Sequence, residues 1–210
     1  MSDIGIVVLA GGRSSRFGGS GEHKLLVRIT GTAIVRTSVT AAQDSGVGRV
    51  VVVTGANAEA VAKTLDGLDV AVVHAPRFAD GMAASLKRGV ETLAAASAVV
   101  VTLGDQPGLR PEAIRRVVER WRETHAQIVI PRYAGDDRPA HPVLFARSVF
   151  RELLALDGDV GARSVILREP GRVAVVALDW PAPRDVDTVE DVKLAAADLA
   201  AAPRVQHKPD

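Results

Sequence analysis

The chain has 210 residues, of which 47% are hydrophobic and only 3% aromatic, and its formal net charge is +1. A chain of this length can bury one sizeable core. The balanced charge gives no sign of a protein that binds nucleic acid or a membrane surface. The absence of cysteine excludes disulfides, thiolate metal sites and a cysteine nucleophile.

Targeting signals are also absent from the sequence. No apolar run reaches the roughly 18 residues needed to span a bilayer. The N-terminus lacks the basic region and cleavage site of a signal peptide. We therefore expect a soluble, cytoplasmic protein with no membrane partner.

Apolar runs alternate with amphipathic segments along the chain, which predicts a three-layer α/β/α, Rossmann-like fold with a mostly parallel central sheet. The predicted elements, in chain order, are strand Ile4–Leu9, helix Ala33–Ser45, strand Arg49–Val53, helix Ala58–Leu65, strand Val70–His74, helix Met82–Ala96, strand Ala98–Leu103, helix Pro111–Thr124, strands Ile128–Ile130 and Pro142–Phe145, helix Arg147–Leu156, strand Val173–Leu178 and helix Val189–Ala201. With no internal repeat and no long linker, residues 1–202 are expected to form a single domain, followed by a flexible tail over residues 203–210.

A glycine-rich segment directly follows the first predicted strand and ends at Gly18, with a lysine shortly after it. Glycines let backbone N–H groups approach a phosphate closely, while serine, arginine and lysine side chains add donors and charge. The carboxyl end of a central strand is where open α/β sheets bind ligands. The candidate nucleotide-binding residues are Leu9, Ala10, Gly11, Gly12, Arg13, Ser14, Ser15, Arg16 and Lys24.

Two common phosphate-binding motifs do not fit this spacing. A Walker loop needs Gly-Lys followed by Ser or Thr, whereas Lys24 lies between His23 and Leu25. A dinucleotide fingerprint needs G-x-G-x-x-G, which these glycines do not form. A flexible surface loop with incidental arginines remains an alternative at this stage.

Acidic residues occur in two segments that are far apart in the sequence, one directly after a predicted strand and one directly before a predicted helix. Asp105 comes after the strand Ala98–Leu103, and Asp185 and Asp187 precede the last helix. Hard oxygen ligands from separate segments suit Mg²⁺, which prefers a few carboxylates together with phosphates and water. The alternatives are a turn role for Asp105 and helix capping by Thr188, or by Asp187 paired with Glu190.

These segments together resemble the MobA-like nucleotidyltransferase superfamily, and within it the molybdenum cofactor cytidylyltransferase (MocA-type) branch. The resemblance extends over nearly the whole chain to about Leu199. The six matching segments are Leu9–Gly18 with Lys24–Leu26, Gly81–Leu86 with Gly89, Leu103–Pro107, His141–Phe145, Gly158–Arg163 and Asp185–Asp191.

The resemblance implies a nucleotidyltransferase fold with a nucleotide-binding N-terminal half and an acceptor-binding C-terminal half. It implies that Lys24, Arg16 and Asp105 carry catalysis and that Asp105 and Asp187 hold Mg²⁺. Gly81 and Ser85, with the strand end near Thr102 and Leu103, would lie near the base and sugar. The implied acceptor-binding residues are His141, Pro142, Asp159 and Arg163.

The implied substrates are CTP or GTP and molybdopterin or its molybdenum-loaded form, and the resemblance leaves room for a molybdoenzyme or its chaperone as protein partner. The implied reaction is in-line attack by the acceptor's terminal phosphate on the α-phosphorus, releasing pyrophosphate. That phosphate is already largely ionised at neutral pH, since its second pKa is about 6. Catalysis then needs positioning and charge neutralisation rather than a general base.

The sequence departs from the family pattern at three points. Five residues, Gly19–His23, separate the last glycine of the loop from Lys24, where two are usual. Gly11 gives the Leu-Ala-Gly-Gly form typical of guanylyl enzymes, whereas the downstream segments favour the cytidylyl branch. Ala140 replaces a glycine that often precedes the His-Pro pair.

Three other functions remain open from the sequence. One is guanylyl transfer to the same acceptor, and Gly11 is its evidence. Another is nucleotide transfer to a sugar phosphate or alcohol phosphate on the same fold. The third is a non-catalytic chaperone that carries the cofactor, which would not need the paired carboxylates Asp105 and Asp187.

Overall fold

The structure is a computed structural model that describes residues 3–12, 17, 23–136, 138–159 and 161–201. The strands are β1 Ile4–Ala10, β2 Arg28–Ile29, β3 Thr32–Ala33, β4 Arg49–Thr54, β5 Ala71–His74, β6 Ala98–Leu103, β7 Ile128–Tyr133, β8 Val143–Ala146 and β9 Val173–Leu178. The helices are α1 Ile34–Asp44, α2 Ala58–Thr64, α3 Met82–Thr92, α4 Pro111–Thr124, α5 Phe150–Leu154, α6 Arg163–Arg168 and α7 Val189–Ala201.

Seven strands form one sheet in the order β5-β4-β1-β6-β8-β7-β9. Within this sheet the described pairings are parallel except those of β8, which runs antiparallel to both β6 and β7. Strands β2 and β3 form a separate antiparallel hairpin. The prediction of a mostly parallel sheet is confirmed. The single reversed strand follows from the short connection between β7 and β8, which is too short for a parallel crossover.

Both faces of the sheet are covered, which produces the three predicted layers. Along β1, Ile4, Ile6 and Val8 belong to one buried cluster, and Val7 belongs to the other. Helices α1 and α4 contribute to the first cluster, and α3 and α5 to the second. Because the central strands β1, β4 and β6 are buried on both sides, their sequences are continuous apolar runs rather than alternating patterns.

The predicted elements are confirmed with small differences at their ends. Helix α3 stops at Thr92 instead of Ala96, and the segment predicted as helix from Arg147 begins as a 3₁₀ turn over Arg147–Val149. The 3₁₀ turn Lys24–Leu26, the β2–β3 hairpin and α6 were not predicted. These elements are two to six residues long, too short to show a periodic pattern.

The sheet register brings the two predicted halves of the nucleotide site to one edge. Leu9 at the end of β1 pairs with Leu103 at the end of β6. The glycine turn after β1 and Asp105 after β6 therefore begin side by side, as expected for carboxyl ends of neighbouring parallel strands. No helix in the described part of the chain is long and apolar enough to cross a membrane.

Candidate active site

The glycine turn begins at the carboxyl end of β1, where Leu9, Ala10, Gly11 and Gly12 are described. Ser85 of α3 lies directly against Gly11, and a Cβ atom at Gly11 would collide with Ser85 Oγ. A Cβ atom at Gly55, after β4, would likewise collide with the carbonyl oxygen of Gly11. The turn is therefore packed on two sides by close contacts that only small residues permit.

Four further residues of the glycine-rich segment are predicted to bind phosphate. Arg13, Ser14, Ser15 and Arg16 lie outside the described residues, so their placement stays a prediction.

The backbone of Gly104 and Asp105 is held by hydrogen bonds to three other segments of the chain. Gly104 N–H donates to Leu9 O at 2.9 Å, which joins the segment to β1. The buried hydroxyl of Ser38 on α1 donates to Gly104 O at 3.1 Å. Val186 N–H donates to Asp105 O at 3.0 Å, so the two acidic segments are connected directly through the backbone.

Asp187 directly precedes a capping box at the start of α7, and the Asp187 carboxylate takes no part in that box. Thr188 Oγ1 accepts from Asp191 N–H at 3.2 Å, and Asp191 Oδ2 accepts from Thr188 N–H at 2.8 Å. The expectation that Thr188 caps α7 is confirmed, whereas the alternative pair of Asp187 and Glu190 is wrong. Because Thr188 and Asp191 satisfy the helix start, the Asp187 side chain is available for other contacts.

Lys24 brings the two acidic segments together. Its Nζ atom donates to Asp105 Oδ2 at 2.7 Å and to Asp187 Oδ1 at 2.6 Å. The two carboxylate oxygens are therefore no farther apart than the sum of these distances. Carboxylates 82 positions apart in sequence converge on one cation at the edge of the glycine turn.

The charges around Lys24 keep it protonated. Burial by itself would lower the pKa of the Lys24 ammonium, but the charges and hydrogen bonds of Asp105 and Asp187 outweigh burial and raise this pKa above its ordinary value. The Lys24 side chain is 11% exposed, that of Asp105 20% and that of Asp187 47%. The site is therefore open to ligands on the Asp187 side.

The last of the five residues before Lys24, His23, is buried and contacts the glycine turn. His23 is 5% exposed, and its Nε2 lies 3.0 Å from Gly12 O. Burial lowers the pKa of His23, with the charge of Lys24 as a smaller contribution in the same direction. The neutral His23 ring therefore donates to Gly12 O and holds Lys24 beside the glycine turn despite the long spacing.

A third carboxylate, Asp185, lies close enough to Asp105 and Asp187 for their charges to act on it. Gln106 Nε2 donates to Asp185 Oδ1 at 2.8 Å. Burial raises the pKa of Asp185, and the nearby charges of Asp105 and Asp187 act in the same direction. Asp185 and Gln106 thus join the two segments by a side-chain contact in addition to the backbone bond.

The donor set fits a small hard cation such as Mg²⁺. Asp105 Oδ1 is buried without a hydrogen-bond partner among the described residues, so this carboxylate retains coordination capacity. Within the same residues there is no group of three or more His, Cys, Asp or Glu side chains arranged to hold a metal. A metal here would accordingly depend on phosphate and water for its other ligands, as Mg²⁺ commonly does.

The nucleotide side meets the predicted acceptor side at Gly81. This residue has φ +118°, and a Cβ atom on it would collide with the backbone of Gly158 and lie 2.7 Å from Asp159 N. Ala83 N–H, in the first turn of α3, donates to Gly158 O at 3.2 Å. The start of α3 therefore packs directly on the loop that carries Asp159.

A cavity of about 150 Å³ lies on the acceptor side. Its walls are mainly apolar, with His141 and Arg163 as the polar side chains among the lining residues. Burial lowers the pKa of His141 to about 4, and Tyr133 Oη donates to His141 O at 2.7 Å. Pro142 follows a cis peptide bond. Of the four predicted acceptor residues, His141 and Arg163 line this cavity, whereas Pro142 and Asp159 do not.

Sequence reasoning missed several residues that shape this site. Ser38 and Gln106 position the acidic segments, and Gly55 supports the glycine turn. His23 holds Lys24 beside the glycine turn through its contact with Gly12 O. Gln106 lies within the matching segment Leu103–Pro107, whereas Ser38, Gly55 and His23 belong to none of the six segments. The partners of these residues at the site are at least 11 positions away in sequence, so residue spacing did not indicate the contacts.

Comparison with known proteins gives matches over most of the chain. The family model described as the MobA-like NTP transferase domain matches residues 6–186. A nicotine blue oxidoreductase of Paenarthrobacter nicotinovorans is 28% identical, with 89% of this chain and 93% of that protein aligned. A probable molybdenum cofactor guanylyltransferase of Thermococcus kodakarensis is 33% identical over 70% of this chain and 68% of its own length. The molybdenum cofactor cytidylyltransferase of Escherichia coli K12 is 24% identical over 80% and 82%.

Solved structures from Mycobacterium tuberculosis H37Rv resemble the whole fold. The crystal structure of Rv0371c is 34% identical with a TM-score of 0.78, covering 93% of this chain and 98% of that one. Its complex with manganese gives 32% identity and a TM-score of 0.75, covering 93% and 99%.

Proposed function

Because the chain belongs to the MobA-like NTP transferase family, we propose that it is a magnesium-dependent cytidylyltransferase that transfers the CMP group of CTP to the terminal phosphate of molybdopterin. The chain is a nucleotidyltransferase that uses a nucleoside triphosphate. The observation that carries the proposal is the convergence of Asp105 and Asp187 on one cation, Lys24, beside the glycine turn.

The proposed roles follow from position and charge. The backbone of the glycine turn, together with Arg13, Arg16 and Lys24, holds the triphosphate. Asp105 and Asp187 hold Mg²⁺. When bound, Mg²⁺ supplies charge neutralisation at the α-phosphate and a fixed orientation for the acceptor phosphate.

The acceptor would occupy the side that carries His141 and Arg163. No carboxylate within 4 Å pairs with Arg163 among the described residues, so its guanidinium is available for a phosphate. The apolar cavity walls suit the flat ring of a pterin. The neutral His141 can donate one hydrogen bond and accept another. These properties support an acceptor that combines a phosphate with a heterocycle.

Guanylyl transfer is the second candidate, and Gly11 favours it. An alanine at this position, as in the cytidylyl form, would require the Ser85 hydroxyl to move, because the added methyl group would collide with Ser85 Oγ. Gly11 and Ser85 therefore behave as a pair at the position where the base and sugar are expected. The identity to a named guanylyltransferase, 33%, points the same way.

An oxidoreductase is a further candidate because one relative with that name aligns over 93% of its length. Paired carboxylates around a cation suit phosphate and metal chemistry, whereas a hydride-transfer site is built around its redox cofactor. An assay of nicotinamide cofactor oxidation therefore accompanies the transferase assay.

The test measures pyrophosphate release with Mg²⁺ and either CTP or GTP, with and without molybdopterin. We expect release only when the acceptor is present, faster with CTP. Asp105→Asn should lower the rate at least about 100-fold, a typical loss when one preorganised charge contact is removed. Asp66→Asn, at an exposed carboxylate away from the site, is the matched control and should keep the rate.

Three results would contradict the proposal. Faster release with GTP would transfer the assignment to guanylyl transfer. Full activity of Asp105→Asn, with an unchanged unfolding midpoint, would remove the metal role. Binding of molybdopterin without any pyrophosphate release would favour the carrier function.

A further inference from the structure

Lys24 lies where the proposed metal would have to bind. Its ammonium is within 2.7 Å of Asp105 Oδ2 and 2.6 Å of Asp187 Oδ1, and these two carboxylates are the proposed metal ligands. In the part of the chain that the structure describes, neither carboxylate has another lysine, arginine or histidine within 4.0 Å. The charge of both carboxylates is therefore compensated by this one side chain.

The Lys24 ammonium and a divalent cation cannot both remain in close contact with the same two oxygens, because like charges at such distances repel strongly. A metal that arrives alone must displace a partly buried ammonium and leave it without a partner. Leaving a charge in that position unpaired is costly. A metal by itself should accordingly bind these carboxylates weakly.

A triphosphate offers the displaced ammonium new partners. The backbone of Lys24 is fixed by Leu26 N–H, which donates to His23 O at 2.8 Å, and by the contact of His23 with Gly12 O. The flexible four-carbon stem of a lysine allows its ammonium to turn from the carboxylates to phosphates bound at the glycine turn without backbone movement. Exchange of partners then keeps both the ammonium and the carboxylates compensated.

We propose that Lys24 is a tethered cation that competes with the divalent metal for Asp105 and Asp187, so that metal and nucleoside triphosphate bind together rather than independently. The inference rests on the proposed function, because it assumes that these carboxylates hold the metal. Linkage requires the coupling to be reciprocal: the nucleotide raises the affinity for the metal by the same factor as the metal raises the affinity for the nucleotide. Lys24 would thereby prevent a metal from occupying the site before the substrate arrives.

The first experiment titrates the full-length protein with Mn²⁺ alone and follows free Mn²⁺ by electron paramagnetic resonance. Without nucleotide, Lys24→Met should bind Mn²⁺ at least about tenfold more tightly than wild type, within the usual range of coupling between sites. Lys24→Arg keeps the positive charge and should bind as weakly as wild type. Lys63→Met removes an exposed lysine on α2 that forms no ion pair with Asp105 or Asp187 among the described residues, and it is the control for the loss of a positive charge elsewhere.

A second measurement uses only the wild-type protein and so does not depend on the folding of a variant. The ¹⁵N signals of lysine ammonium groups are recorded by NMR, and the Lys24 signal is assigned by its loss in Lys24→Arg. Mg²⁺ at a low millimolar concentration should leave this signal in place. Addition of Mg²⁺ with a CTP analogue that has a non-hydrolysable α–β bridge should shift it.

The outcomes separate this inference from the proposed function. If Lys24→Met binds Mn²⁺ no more tightly than wild type, or if the Lys24 signal does not respond to the metal and analogue together, the competition is wrong. Asp105→Asn then tests the site itself in the presence of the analogue. If it reduces Mn²⁺ binding there, the metal site stands and only the competition fails; if it has no effect, the proposed metal site fails as well.

Discussion

Burial of the His141 imidazole is expected to make the stability of the protein depend on pH. The pKa of this imidazole falls from 6.5 to about 4 because burial disfavours its charged form. In the unfolded chain the same group takes up a proton near its ordinary pKa. The folded state therefore binds fewer protons than the unfolded state between these two values.

The stability of the protein should consequently fall as the pH decreases from about 6.5 towards 4. The contribution of His141 is fully present above pH 6.5 and is lost by at most about 1.4 kcal/mol per pH unit below it. Urea unfolding at several pH values, compared between wild type and His141→Gln, measures this contribution. The variant should show a shallower loss of stability on acidification.

An exposed histidine provides the control for this measurement. His74 lies at the end of β5 with its side chain in contact with water, so His74→Gln should keep the wild-type slope. An identical slope in wild type and His141→Gln would show that the buried imidazole does not contribute to the acid sensitivity.

At the scale of elements, α1 supports through Ser38 the edge of the sheet that carries the candidate site. The single buried hydroxyl hydrogen of Ser38 lies between two carbonyl acceptors, Gly104 O at 3.1 Å and Ile34 O of its own helix at 3.2 Å. The carbonyl of Gly104 immediately precedes Asp105. The helix therefore holds the backbone directly before Asp105.

Ser38→Ala should lower the free energy of unfolding by about 1–3 kcal/mol, because it leaves the buried carbonyl of Gly104 without this donor. It should also lower kcat, since the position of Asp105 becomes less well determined. Urea unfolding and the pyrophosphate assay measure the two effects separately.

Thr37→Ala is the matched variant on the same helix. Among the described residues, Thr37 Oγ1 donates to Ala33 O, one turn back, at 3.3 Å and to no residue outside its own helix region. Its loss should have little effect on kcat. If both variants were equally active, the contact from α1 to Gly104 would have no role in positioning Asp105.

At the scale of the whole molecule, the predicted nucleotide and acceptor halves meet where α3 begins. Gly81 lies against the backbone of Gly158 and Asp159, and Ala83 N–H donates to Gly158 O. This contact joins α3, the helix between the parallel strands β5 and β6, to the loop between α5 and α6. A substitution at this contact should therefore affect the binding of both the nucleotide and the acceptor.

Gly81→Ala should raise the KM for the nucleotide and for the acceptor together, because the added methyl group forces α3 and the Gly158 loop apart. We expect an increase of roughly tenfold or more in each, in line with the sensitivity of catalysis to small misplacements. Steady-state kinetics with each substrate varied in turn is the measurement.

A second glycine separates backbone strain from this contact. Gly67 also has a positive φ, +83°, but a Cβ atom on it would meet nothing within 4 Å. Gly67→Ala should therefore reduce stability without changing either KM. A change confined to the KM of one substrate in Gly81→Ala would show that the two halves are not coupled at this point.

Strong local signals explain what could be predicted from the sequence. The apolar runs of β1 and β6 and the proline at the start of α4 defined these elements because burial and backbone geometry act within a few residues. The register of the edge strands, the reversed direction of β8 and the short helix α6 were not determined in this way, since pairing and packing between distant segments decide them.

The sequence by itself determined the three-layer α/β class, the glycine turn after β1 and the identity of the acidic residues, because each depends on local residue types and their order. Only the tertiary structure decided that Asp105 and Asp187 meet on the ammonium of Lys24, and that His23 holds Lys24 beside Gly12. The physical reason is that these contacts join segments far apart in the chain, and their geometry arises only when the sheet and its helices pack together.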